Sequence, residues 1–141
     1  MVNEINIENE TLIFDTEMTK KFYLSQEKTK DGCQCLECKY YVDFFTKQPF
    51  EIFLLLQKMG VDLEKNLESE PTGVWCVRDD NGKLLHCDQA YQIFGNINSE
   101  EKSEIKYSKI ENNYKIDAYF KQINVDNLHV SLDINLLNNK T

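Results

Sequence analysis

The sequence predicts an α+β domain with N-terminal helices packed on one face of a mostly antiparallel sheet of about five strands. Three observations carry this. Apolar residues between Leu36 and Met59 recur at three-to-four spacing, as on a helix face. From Tyr114 to Leu136 apolar and polar residues alternate, as on a half-buried strand. Asp79-Asp80-Asn81-Gly82 lies between two β-prone runs and reads as a hairpin turn. Helices early and strands late are the order of segregated α+β layers.

Residues 1–9 are polar with scattered Ile and read as a flexible N-terminus, residues 10–137 as one α+β domain, and residues 138–141 as a flexible C-terminus. Thr11-Leu12-Ile13-Phe14 reads as a short strand. Glu17 to Leu24 follows as a helix with Met18 and Phe22 on its apolar face, or as a second strand from Lys21 to Leu24. Ser25 to Gly32 is a loop leading to a cysteine cluster. Leu36, Tyr40 or Tyr41, and Phe44 or Phe45 place a helix up to about Lys47. Pro49 ends it and suits the first turn of the next, because its missing N–H is not needed there. That second helix runs to Met59, with Gly60 as its C-terminal cap.

Gly73 to Arg78 reads as a strand and Lys83 to Cys87 as its antiparallel return. Asp88-Gln89-Ala90 then separates a third strand at Tyr91 to Gly95. Ile105 and Tyr107 alternate with Lys106 and Ser108, which suggests an edge strand. Tyr114, Ile116, Ala118 and Phe120 share one face of the next strand. After a turn at Asn124 to Asn127, the clearest strand carries Leu128, Val130, Leu132, Ile134 and Leu136 on one face and His129, Ser131, Asp133 and Asn135 on the other.

The 141-residue chain fits a single domain, and eight Phe, seven Tyr and one Trp supply a core. Sixteen Lys and Arg against 24 Asp and Glu give a formal charge of -8. That field opposes a phosphate-backbone binder, so nucleic acid is not an expected partner, whereas a basic protein surface or a second copy in a homodimer is. The longest apolar run, Ile52 to Leu56, is five residues, far below the roughly 20 of a membrane span. Met1 to Glu10 carries no basic-then-apolar leader, so the expectation is a cytoplasmic protein with its five cysteines reduced.

Phe14-Asp15-Thr16, Lys21-Phe22-Tyr23, Cys33-Gln34-Cys35-Leu36-Glu37-Cys38 with Lys39-Tyr40-Tyr41, Met59-Gly60-Val61-Asp62, Gly82-Lys83-Leu84 and Tyr91-Gln92-Ile93-Phe94-Gly95 occur in this order. The combination resembles an uncharacterised family of small bacterial cytosolic proteins over residues 11–97. The resemblance implies one bacterial, cytosolic domain. It brings no activity and no catalytic residue with it.

The sharpest chemical feature is Cys33-x-Cys35-x2-Cys38. Three thiolates this close suit zinc, with a fourth ligand delivered by folding: Cys87 completes the candidate set, with His86 and Cys76 as alternatives. The competing reading is packing, since cysteine behaves as a small buried hydrophobe. Cys35-Leu36-Glu37-Cys38 also has thiol-redox spacing, but lacks the strand–helix setting such a site uses. His86 beside Cys87 is a candidate partner for Asp88, but adjacent strand residues point to opposite faces, which argues against a Cys87–His86 dyad. No phosphate-loop, dinucleotide, serine-hydrolase or metalloprotease signature is present. The leading expectation is therefore a noncatalytic interaction or accessory domain acting through an acidic face that carries Tyr91, Tyr107 or Tyr119. The alternatives are a zinc-stabilised cysteine-cluster domain and a small enzyme or thiol redox protein whose first residues to test are Cys38, His86, Asp88 and Tyr91.

Overall fold

The computed structural model describes residues 2–26, 41–43, 45–65, 75–78, 80–81, 84–99 and 101–137. The elements are β1 (Val2–Ile7), β2 (Glu10–Asp15), α1 (Thr16–Leu24), a 3-10 turn (Phe45–Lys47), α2 (Glu51–Lys58), β3 (Trp75–Arg78), β4 (Leu84–Ile97), β5 (Glu104–Glu111), β6 (Tyr114–Asn124) and β7 (Asn127–Leu136). The sheet runs β1-β2-β4-β7-β6-β5, and β3 pairs with β4 off this path. Every strand pair is antiparallel. The α+β class and the helices against one face of an antiparallel sheet agree with the sequence reading, with more strands than expected.

The extra strand comes from the start of the chain. Residues read as flexible form β1, paired with β2 from Val2↔Asp15 to Ile7↔Glu10. Their tight turn uses Glu8 and Asn9 at φ 50° and 68°, both in the left-handed region that a two-residue hairpin requires. A second correction concerns β4. Asp88-Gln89-Ala90 does not separate two strands, because β4 is continuous over 14 residues and β7 pairs with it without interruption from His86↔Asn135 to Phe94↔Asn127.

Alternation sorts the sheet into two faces. Cys87, Tyr91 and Ile93 of β4, Ile116, Ala118 and Phe120 of β6, and Leu128, Val130, Leu132 and Ile134 of β7 are buried on the inner face. Ile52, Phe53 and Leu56 of α2 belong to the same core, as do Tyr41, Val42, Phe50 and Met59. The expected C-terminal cap is in place: Gly60 has φ 101°, and a Cβ there would lie 2.7 Å from the Thr16 carbonyl oxygen. Tyr91 Oη donates to the Leu63 carbonyl at 2.7 Å and lies 2.6 Å from Tyr41 Oη, which ties helical segments to the middle of the sheet. Residues from both ends of the strand order, Ile5 to Glu8 and Tyr107, line one cavity of about 280 Å³ with Glu51 and Leu55. The sheet thus curves around α2.

α1 is a helix, not the alternative strand, capped by Asp15, whose side chain accepts the Met18 N–H. Its buried residues are Thr19 and Tyr23, whereas Met18 is 49% exposed. The reason is the other edge of β4, which β3 takes at Leu84 to Asp88 and β2 at Gly95 to Ile97. Between these two, Tyr23 and Thr19 hydrogen-bond the backbone of Gln92 and Phe94. Among the described residues no helix is long and apolar enough to cross a membrane.

Candidate metal centre

The outer face of the sheet collects polar side chains because β4 and β7 present alternate residues there. His86 pairs across the strands with Asn135, and Asp88 with Asp133. Positions two apart on a strand share a face, so the four side chains form a square on adjacent strands. His86 Nε2 lies 3.0 Å from Asp88 Oδ2, and His86 Nδ1 lies 3.4 Å from Asp133 Oδ1. Asn135 joins the square: His86 Nδ1 is 2.6 Å from Asn135 Oδ1, and Asn135 Nδ2 donates to Asp133 Oδ1 at 3.3 Å. The row continues on β6, where Asp117 pairs with Asp133. Asp117 is buried and accepts a hydrogen bond from the Ser108 hydroxyl.

Two carboxylates directly opposite on neighbouring strands repel each other. The Asp133 carboxyl is accordingly held above the usual carboxylate range by partial burial, by its hydrogen bond to Asp88 and by the Asp88 charge, against the lowering effect of His86. Burial works to lower the His86 pKa, but its hydrogen bonds to Asn135 and Asp88 and the charges of Asp88 and Asp133 outweigh this and raise it. Beyond burial, the neighbouring negative charge acts on both groups in the same direction and favours their protonated forms.

One His nitrogen and two carboxylate oxygens, within 4.8 Å of one another, can hold a metal ion. Such a mixed nitrogen and oxygen set suits zinc and neighbouring divalent transition metals. The side chains of His86, Asp88 and Asp133 are 28%, 49% and 38% exposed, so an ion here keeps open positions toward solvent.

The sequence-predicted ligands lie elsewhere. Cys33, Cys35 and Cys38 fall outside the described residues. Cys87 is fully buried on the inner face, opposite the His86 and Asp88 side chains, so it does not join them. Cys76 is the backbone partner of Cys87 in the β3–β4 pair. Of the residues named for an enzyme, His86 and Asp88 come together on the outer face, while Tyr91 is buried in the core and Cys38 is not described.

The tyrosine-bearing face needs a similar correction. Tyr91 and Tyr107 are buried, and Tyr107 Oη donates to Glu51 Oε1 at 2.7 Å. Tyr119 is half-buried on the outer face, with Lys106 Nζ 5.6 Å from its ring centre. Sequence reasoning missed Asp133 and Asn135 as site residues. Their only signal was membership of the polar register of β7, and the β4–β7 register alone reveals that they face His86 and Asp88.

Comparisons with family models, with curated proteins and with solved structures returned no match.

Proposed function

We propose that this chain is a noncatalytic accessory domain that binds a divalent transition metal, zinc foremost, on the outer face of its sheet through His86, Asp88 and Asp133. The observation that carries the reading is the convergence of one imidazole and two carboxylates on adjacent strands, within 4.8 Å of one another. A dication at this site competes with protons for the His86 nitrogen and the carboxylate oxygens, so binding is coupled to proton release. The rigid β4–β7 ladder fixes the ligand backbones in advance, which lowers the ordering cost of binding. The positions left open on the ion give an accessory domain a point of contact with a partner's own ligand group. A bacterial, cytosolic setting is the expectation from the family resemblance, which assigns no activity.

A second zinc reading rests on Cys33, Cys35 and Cys38 with Cys87, and variants separate the two. Zinc calorimetry on metal-stripped, reduced protein is the test. One ion per chain, lost in His86→Ala and in Asp133→Asn but retained in Cys35→Ser, supports the His/Asp site. Loss in Cys35→Ser with retention in His86→Ala moves the metal to the cysteines, and no binding by the parent protein removes both.

A further inference from the structure

We infer that the open edge of β1 takes an extended segment of a partner protein as an added strand, and that a basic side chain of that segment enters the cavity between β1, α2 and β5. The inference concerns a different part of the domain from the His86 site and does not depend on a bound metal.

The sheet ends at β1 on one side and at β5 on the other. Both ends meet at the cavity of about 280 Å³, walled by Ile5 to Glu8 on one side and Tyr107 on the other, with Glu51 and Leu55 of α2 beneath. The register shows what β1 offers there. Its two-residue turn at Glu8 and Asn9 makes Ile7↔Glu10 the closing hydrogen-bonded pair. Alternation then directs the N–H and C=O of Ile7, Ile5 and Asn3 toward β2, and those of Asn6, Glu4 and Val2 away from it. β2 agrees with this phase: Thr11, opposite Asn6, turns its carbonyl away from β1 and accepts the Asn98 N–H at 2.8 Å.

Among the described residues no strand pairs with the outward row of β1. The β5 edge is open too, but Lys106 and Lys109 stand on it, and lysine on an edge strand discourages pairing. β1 has no lysine and no proline, and its one charged residue is Glu4. It is therefore the edge left as a template for strand addition, in which main-chain hydrogen bonds supply affinity and alternate side chains supply specificity.

The cavity sets the chemistry of that side chain. The Tyr107 hydroxyl is kept protonated by burial, by its hydrogen bond to Glu51 and by the charges of Glu51, Glu111 and Glu8, so these carboxylates crowd one place. Lys109 Nζ, 3.3 Å from Glu51 Oε2, offsets part of this charge. Every second side chain of an added strand points inward. Beside Glu8 and Glu51 such a position favours lysine or arginine and penalises an acidic residue, and Leu55 receives the aliphatic stem. The net charge of -8 draws a basic segment in at longer range.

The test uses a capped probe peptide in which valine alternates with threonine and a lysine takes the central inward place, and a counterpart with glutamate there. Binding to the full chain is followed by fluorescence anisotropy and by amide hydrogen exchange. The lysine peptide is expected to bind and to slow exchange at the outward N–H groups of Glu4 and Asn6, and the glutamate peptide to bind at least about 10-fold more weakly. Asn6→Pro removes one outward N–H while leaving the β1–β2 ladder its own bonds, and is expected to abolish binding. Glu8→Gln is expected to narrow the difference between the two peptides. No binding of the lysine peptide overturns the inference, as does equal affinity for both peptides. Protection confined to Lys106 and Ser108 overturns the choice of β1. Self-association of the chain without peptide, lost in Asn6→Pro, assigns the edge to a second copy and overturns the partner segment. Amide spectra of the β1–β2 pair check that Asn6→Pro is folded; if it is not, the exchange pattern of the parent decides.

Discussion

The hydroxyl of Tyr23 serves both backbone groups of Gln92, donating to its carbonyl at 2.9 Å and accepting its N–H at 2.7 Å. A side chain here does what a neighbouring strand does elsewhere in the sheet. Thr19 Oγ1 extends the substitution by accepting the Phe94 N–H at 3.0 Å. Burial raises the Tyr23 pKa, against the effect of the Gln92 hydrogen bond, so the hydroxyl stays protonated and able to donate.

Tyr23→Phe therefore leaves two backbone groups of Gln92 without their partner while preserving the aromatic packing. Removing one partner of a buried pair costs about 1–3 kcal/mol. Urea unfolding is expected to show a loss of that size with an unchanged slope. An unaltered midpoint would mean that β4 does not depend on α1 for its missing partner.

A second close approach holds β2 to β4. A Cβ added at Gly95 would lie 2.2 Å from the Ile13 carbonyl oxygen and 2.9 Å from Phe14 Cα, both backbone atoms unable to swing aside. Gly95→Ala is expected to lower stability by about 2–3 kcal/mol, at the upper end of overpacking effects. Hydrogen exchange should show the loss first at the β2–β4 pair. Full stability of the variant would show that this pairing is looser than described.

The His86 square makes stability depend on pH in a definite direction. In metal-free protein both His86 and Asp133 have raised pKa values, so the folded chain binds more protons than the unfolded one across their titration ranges. Stability then falls as pH rises. The His86 contribution is fully present below its ordinary value of 6.5 and is lost as pH climbs through the higher folded value. The Asp133 contribution is fully present below 3.8 and lost above that, through its own raised value. Thermal melts of the metal-free parent and His86→Gln check this: from pH 6.5 upward the parent's Tm should fall more steeply than the variant's. Parallel curves would contradict the raised His86 pKa.

Where local pattern and pairing agree, the fold was legible. The alternation of β7 and the Pro49 and Gly60 signals around α2 recur in the structure, with α2 at Glu51–Lys58 and Gly60 in the left-handed region. Where the deciding contacts are remote, it was not. Asp88-Gln89-Ala90 looks like a break, yet Gln89 is buried opposite Leu132 because β7 spans it. Glu8-Asn9 is an unusual pair for a left-handed turn, so β1 was hidden. In α1, Met18 outranks Thr19 on apolar character, but a hydroxyl was needed for the β4 backbone. The candidate site depends most on register: His86 and Asp88 were legible only as a candidate pair, whereas their shared face and their alignment with Asn135 and Asp133 follow from the continuous β4–β7 ladder.

The central claim is that His86, Asp88 and Asp133 hold a divalent metal, and cobalt substitution tests it most directly. Co2+ added to metal-stripped, reduced protein should give visible ligand-field bands at one ion per chain, without the near-ultraviolet thiolate charge-transfer band, and both Asp88→Asn and Asp133→Asn should weaken them. A strong thiolate band that persists in these variants, or no protein-bound cobalt at all, would contradict the account.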